Sequence, residues 1–257
     1  MSIWEFGFLV LAGVGSGLIG SIAGLASLIS YPALLATGIP PVTANVTNTA
    51  AMVLTGVGSV SASRPELKGQ GRRLMPLAIA AVLGGSAGAL LLMLTPEGGF
   101  ERIVPWLIGG ASVAILVQPP PRQLAIEGAR AHARHPDRDQ WWLPIAVFVI
   151  SIYGGYFGAA AGVLMLATFL LTTGEGLPRS NAMRNVILGV ANSVAAIGFV
   201  IFASIAWSAA LPLAIGLLLG SMLGPSVVRR APQTALRRVI ALAGLGLAVY
   251  LAIEAYS

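Results

Sequence analysis

Charge is what this chain has least of. Only 9% of its 257 residues are Asp, Glu, Lys or Arg, against roughly 25% in an ordinary soluble domain. With 56% hydrophobic residues and a mean hydropathy of +0.86, too few charges remain to cover a water-facing surface, so most of the exterior must face lipid. Cysteine is absent altogether, which excludes disulfides, Cys-ligated metals, iron–sulfur clusters and thiol catalysis. The few charges are also unbalanced: 15 Lys and Arg against 9 Asp and Glu give a net charge of +6. In a soluble chain that excess would suggest nucleic acid. In a membrane protein it marks cytoplasmic loops, so the bilayer is the expected partner and nucleic acid is not.

What is present is apolar sequence in long runs. A helix crossing the hydrocarbon needs about 20 apolar residues, and eight runs cover approximately residues 6–35, 44–62, 74–94, 103–118, 141–173, 182–206, 209–228 and 239–253. They are continuously apolar, whereas membrane strands alternate in stretches of about ten. The fold class is therefore an all-α polytopic membrane protein. Met1 to Glu5 lacks a basic region and the first run is too long for a secretory leader, so this run is expected to stay in the mature chain.

Runs 6–35 and 141–173 are too long for one crossing and are broken by glycines, Gly13 to Gly24 in one and Gly154 to Gly162 in the other. Superposing the halves sets Gly17, Gly20 and Gly24 on Gly155, Gly158 and Gly162, and Pro41 and Asn48 on Pro178 and Asn185. Two repeats of about four hydrophobic segments are expected, over 1–118 and 141–257, joined by a polar linker at 119–140 that holds His132 and His135. Basic connections follow the second, fourth and seventh runs. Eight plain crossings would put the last of these on the wrong side. If each glycine-broken run is re-entrant or interrupted and returns to its own side, all three lie in the cytoplasm and the repeats are inverted.

Several familiar patterns have plainer readings. Gly15 to Gly20 matches G-x-G-x-x-G, but lies inside an apolar run and not between a strand and a helix. Gly84 to Gly88 matches G-x-S-x-G, yet no carboxylate lies in any run and both histidines are in the linker, so no hydrolase triad is available. His132 and His135 have no acidic company as metal ligands and read as solvated. Small-xxx-small rows such as Gly13/Gly17 and Gly216/Gly220/Gly224 let helices approach closely. Interrupted segments at matching places in two repeats are a pointer to a transporter site, so packing and site both stay open for 13–24 and 154–162.

After each broken run comes the strongest polar cluster of its half, Pro40 to Thr49 and Pro178 to Asn185. Thr43 and Ser180 are candidate N-caps. Asn48, Asn185 and Arg184 lie deeper and need either a wet cavity or a partner; Arg184 either snorkels or meets an anion. Helix N-termini, amides, hydroxyls and one guanidinium together suit a small oxyanion. A cation site would need carboxylates, which fall at ends and loops. Any proton would then travel on the substrate.

At these residues the chain resembles the sulfite exporter TauE/SafE family, through the glycine-rich segment 13–24, the stretch from Pro41 to Val46-Thr47-Asn48, the basic loop to Arg73, and the recurrence at 154–162 and 178–185. The resemblance implies a secondary transporter in a bacterial inner membrane that exports sulfite or organosulfonates without a cofactor. Met183-Arg184-Asn185 keeps the Asn of the pattern and replaces the preceding pair. The expected substrate contacts are Asn48, Asn185, Thr47, Thr49 and Arg184, with Ser21 and Tyr156 placed by the glycine segments, and helix breaks at Gly20, Gly24, Gly158 and Gly162. The alternative is an anion channel or a permease for another small oxyanion. Homo-oligomerisation is left open.

Overall fold

A computed structural model describes residues 1–134, 140–228 and 233–256. All regular structure among them is helical. In chain order the helices are α1 (Ile3–Ala23), α2 (Ser27–Ala36), α3 (Pro41–Ala62), the single turn α4 (Arg64–Leu67), α5 (Gly71–Leu94), α6 (Glu97–Val117), α7 (Pro121–Arg134), α8 (Leu143–Tyr156), α9 (Ala161–Thr172), α10 (Leu177–Phe202), α11 (Trp207–Val228) and α12 (Gln233–Tyr256). Six contain segments long and apolar enough to cross a membrane, in α1, α5, α6, α10, α11 and α12. α2, α8 and α9 are shorter apolar helices. Each long run is thus two helices. α3 has crossing length but carries Asn45, Thr47, Asn48, Thr49, Thr55 and Ser59, and so falls outside that set.

Local chemistry explains the boundaries. α1 opens on a capping box, in which the Glu5 amide donates to Ser2 Oγ and the Ser2 amide donates to Glu5 Oε2. It stops at Gly24, whose φ of 76° is left-handed. Gly158, with φ 80°, sits in the gap between α8 and α9. The other two glycines expected as breaks are inside helices. Gly20 is in α1 against Ala26, and Gly162 is in the first turn of α9 against Gly24; both permit close approach of backbones. The expected caps are also corrected. α3 and α10 start one residue after Pro40 and Gly176, with prolines in their first turns. A proline there has no amide to leave unpaired and its φ is already helical, so neither Thr43 nor Ser180 is needed as a cap.

The linker is more ordered than its composition suggests. Residues 121–134 form α7, which lies along α9. Leu124 is buried with Leu166 and Leu170, Gly128 leaves room for the Leu170 carbonyl, and His132 lies against Gly174. Arg122, Glu127 and Arg130 face outward. One apolar stripe at helical spacing was hidden among charges. His135, Asp137, Arg138, Asp139, Arg229 and Arg230 lie outside the described residues.

Helix directions follow from ordered contacts. Gly13, Gly17 and Ser21 meet Leu213, Leu217 and Gly224 in ascending order, so α1 and α11 are parallel; Gly84 and Gly88 meet Phe148 and Ile152, so α5 and α8 are parallel too. No side chain fits at these crossings. The G-x-S-x-G pattern is one of them, with Ser86 bonded to its own helix at Val82. α3 also runs parallel to α11, since Thr47 meets Ala206 and Gly58 meets Leu218. α3 starts and α5 ends at the end of the bundle that carries Glu97, Glu101 and Glu254. At the other, basic end Arg73 pairs with Glu175 and Arg237 donates to Gln118. The connections that follow α3, α6 and α11 all leave at this basic end.

Candidate binding site

The two helix breaks face each other in the middle of the molecule. Gly24 and Gly162 are in backbone contact, and with α3 and α10 the breaks enclose a cavity of about 50 Å³, room for a small ion or a few waters. Its walls include Gly20, Gly24, Ser27, Thr49, Thr55, Ser59, Phe157, Gly158, Gly162, Arg184, Asn185 and Asn192.

Arg184 dominates its electrostatics. The side chain is 1% exposed, and none of the described residues that line the cavity is a carboxylate. Nη2 donates to the carbonyls of Gly20 and Ser21, both at 3.0 Å, and to Asn185 Oδ1 at 2.7 Å; Nε donates to the same oxygen at 3.2 Å. The carbonyls belong to the last turn of α1, where the dipole is negative; Gly20 O also accepts the Gly24 amide at 2.8 Å. So part of the guanidinium closes off α1. The other part does not: Nη1 has no partner, and neither has Asn185 Nδ2. A buried cation with a free donor and no carboxylate is poorly matched to an empty cavity and well matched to an anion.

Other donors surround it. The hydroxyls of Thr55 and Ser59 are buried and unpartnered. The amides of Ser27 and Gly162, in the first turns of α2 and α9, find no backbone acceptor among the described residues, so both half-helices present N–H groups.

Of the residues picked from sequence, the cavity gathers Arg184, Asn185, Thr49, Gly20, Gly24, Gly158 and Gly162. Asn48 is buried just behind the wall, with Nδ2 3.4 Å from Ser27 Oγ and 3.6 Å from Met52 Sδ. Three side chains turn elsewhere. Thr47 Oγ1 accepts from the Ala206 amide at 3.0 Å, Ser21 Oγ bonds Leu18 in its own helix, and Tyr156 reaches Thr95. Ser21 and Tyr156 contribute carbonyls instead. Asn181 Nδ2 donates to Ser21 O at 3.0 Å and Asn45 Nδ2 to Tyr156 O at 2.8 Å, so each half closes the last turn of the other half's first helix.

Sequence reasoning stopped too early along α3 and α10. Residues 45, 48, 49, 52, 55 and 59 form one stripe at spacings of three and four, which is one helix face. Asn192 lies two turns beyond Asn185 on α10. That periodicity was a usable signal for Thr55, Ser59 and Asn192.

A broken-helix cavity with a buried, half-paired arginine now has a context. The family model for the sulfite exporter TauE/SafE matches residues 9–251. The chain belongs to this family. Curated relatives include a probable membrane transporter protein, ORF9, of a Sinorhizobium species, 27% identical over 95% of this chain and 91% of its own length. The probable membrane transporter protein YfcA of Escherichia coli K12 is 26% identical over 91% of this chain and 84% of its own. A probable membrane transporter protein of Haemophilus influenzae is 27% identical over 90% and 88%. No solved structure matches the chain. As a TauE/SafE family member the protein is a multi-pass membrane transporter and not an enzyme.

Proposed function

We propose that this TauE/SafE protein is a secondary transporter that exports a small sulfur oxyanion, sulfite or a compact organosulfonate, binding it in the cavity between the two helix breaks. The observation that carries this reading is Arg184, a buried guanidinium in the cavity wall whose Nη1, beside Gly24, has no partner, while none of the described residues lining the cavity is a carboxylate. The anion's oxygens accept from Arg184 Nη1, Asn185 Nδ2, the Thr55 and Ser59 hydroxyls, and the amides that begin α2 and α9. Asn48 and Thr49 support this wall from α3. The small free volume favours sulfite over long sulfonates.

The halves 1–118 and 141–257 are read as inverted repeats. α1 runs toward the basic end, and α8, parallel to α5, runs away from it. Each broken segment returns to the end at which it started. The positive-inside rule then places the basic end in the cytoplasm, with the protein in a bacterial inner membrane. No ionisable carboxylate lines the cavity, so a proton moved with the anion rides on the anion itself.

Proteoliposomes containing only this protein test the reading, with sulfite, sulfoacetate, taurine, sulfate and chloride offered in parallel. Saturable, exchange-stimulated sulfite flux that Arg184→Ala removes supports a carrier at this site. Non-saturating flux would indicate the channel alternative, and equal flux in the variant would remove the site.

A further inference from the structure

A second, larger cavity of about 520 Å³ opens at the acidic end, between the α2–α3 connection, the start of α6 and the end of α12. Glu101, Glu254 and Tyr250 line it, and Tyr31 forms its inner wall. The two cavities are separated by very little. Phe157 lines the central one and Tyr31 the vestibule, and their rings meet edge to face with centroids 5.3 Å apart. Phe100 backs Phe157 at 6.2 Å. Tyr31 is 1% and Phe157 3% exposed, so both rings are buried where they meet.

We propose that Tyr31 and Phe157 form the movable partition that shuts the central anion cavity off from the vestibule at the acidic end. The proposal rests on the transport reading above and adds the residues that set passage. Phe157 stands where the backbone changes direction, and Tyr31 stands about one turn into the half-helix that follows the other break. Phe157 is the residue between Tyr156, which ends α8, and Gly158, whose φ is positive. Tyr31 is on α2, the ten-residue helix that restarts after Gly24. Each ring therefore belongs to a different half, Tyr31 on α2 and Phe157 at the break between α8 and α9. A shift of either half-helix relative to the other separates the rings. The Tyr31 hydroxyl is buried without a hydrogen-bond partner, so ring packing alone holds it in place. Glu101 lines the same vestibule as Tyr31. The partition thus lies between a cationic chamber and an acidic mouth, and an anion leaving Arg184 has two aromatic rings to pass before it reaches Glu101.

The absence of cysteine makes the test direct. Thr55→Cys places a single thiol in the central cavity, and Tyr250→Cys, in a separate protein, places one in the vestibule. Sealed vesicles of both orientations are treated with a small membrane-impermeant methanethiosulfonate, and Tyr250→Cys identifies which side the vestibule faces. From that side, Thr55→Cys is expected to react slowly. Adding Phe157→Ala or Tyr31→Ala is expected to raise its rate roughly tenfold or more, because an open state is otherwise a minor one of about 0.1–10%. Phe157→Tyr and Tyr31→Phe are expected to keep the slow rate, which a general loosening of the bundle would not allow. An unchanged Thr55→Cys rate in folded Phe157→Ala and Tyr31→Ala proteins, with Tyr250→Cys reactive, would overturn the partition. Labelling needs no substrate, so failure of the sulfite reading leaves this outcome intact.

Discussion

α3 and α10 occupy matching places after the two broken segments, yet they spend their polar residues differently. On α10, Arg184 reaches across to the carbonyls that end α1 and leaves Nη1 without a partner among the described residues, beside Gly24 in the cavity wall. On α3, the residue before the matching Asn is Thr47, which turns away to the Ala206 amide at the start of α11. The shared part of the design is the neutral pair Asn45 and Asn181, each holding the last turn of the opposite half's first helix. Among the described residues that line the cavity, the one charged side chain, Arg184, thus comes from the second half. Helix breaks and small residues build the chamber in both halves, and on the proposed reading Arg184 of the second half sets the sign of what enters it.

Six substitutions break or sharpen this comparison. The largest effect is expected for Arg184→Ala. Hydrogen bonds to a charged group contribute about 1.5–3 kcal/mol each, so anion flux per folded molecule should fall roughly 10- to 100-fold, read as initial rates in proteoliposomes. Arg184→Lys should recover part of it, since a point charge remains without the planar fork.

Gly88→Val comes next. Gly88 faces the Ile152 carbonyl and the backbone of Gly155 and Tyr156, so overpacking should cost about 1–3 kcal/mol or more. Thermal denaturation of the purified protein would show it as a lower Tm, and Gly17→Val in the matching α1–α11 crossing should behave alike.

Thr47→Val sharpens the contrast with Arg184. It removes the acceptor of the Ala206 amide, at a cost of about 1 kcal/mol in stability, and should move flux per folded molecule far less than Arg184→Ala does.

The smallest effect belongs to the basic end. Burial alone would raise the Glu175 pKa, but hydrogen bonds from Arg179, Gln70 and Arg73 and the charge of Arg179 hold it below the usual carboxylate value. A carboxylate depressed in the folded state stabilises at neutral pH, and that contribution disappears as pH falls through its lowered pKa. Glu175→Gln should therefore cost less than about 1 kcal/mol at neutral pH, as exposed pairs do, and should flatten the acid side of the stability profile.

Much of this was legible in the amino-acid order because lipid leaves few options. Continuous apolar runs could only be helices, and of the four glycines expected as breaks in the two over-long runs, Gly24 and Gly158 stand at breaks while Gly20 and Gly162 lie inside helices. Arg184 stood out because an arginine inside an apolar run needs a partner. Side-chain direction was not legible. Thr47, Thr49 and Asn48 are adjacent in sequence, but 100° per residue sends Thr47 to Ala206 while Thr49 reaches the cavity. Thr55, Ser59 and Asn192 were passed over because hydroxyls and an amide in a helix have an easy reading as back-bonded to the preceding turn. α7 escaped notice because its buried stripe, Leu124 and Gly128, is only one face of a largely polar segment.

Binding of sulfite to the purified protein tests the central claim most directly, by thermal denaturation of wild type and Arg184→Ala across a sulfite titration. A ligand that binds only the folded state at 100 times its Kd stabilises by about 2.7 kcal/mol. The account predicts a saturable rise in Tm for wild type and none for Arg184→Ala. Equal shifts in the two proteins, or no shift in wild type at any sulfite concentration, would contradict it.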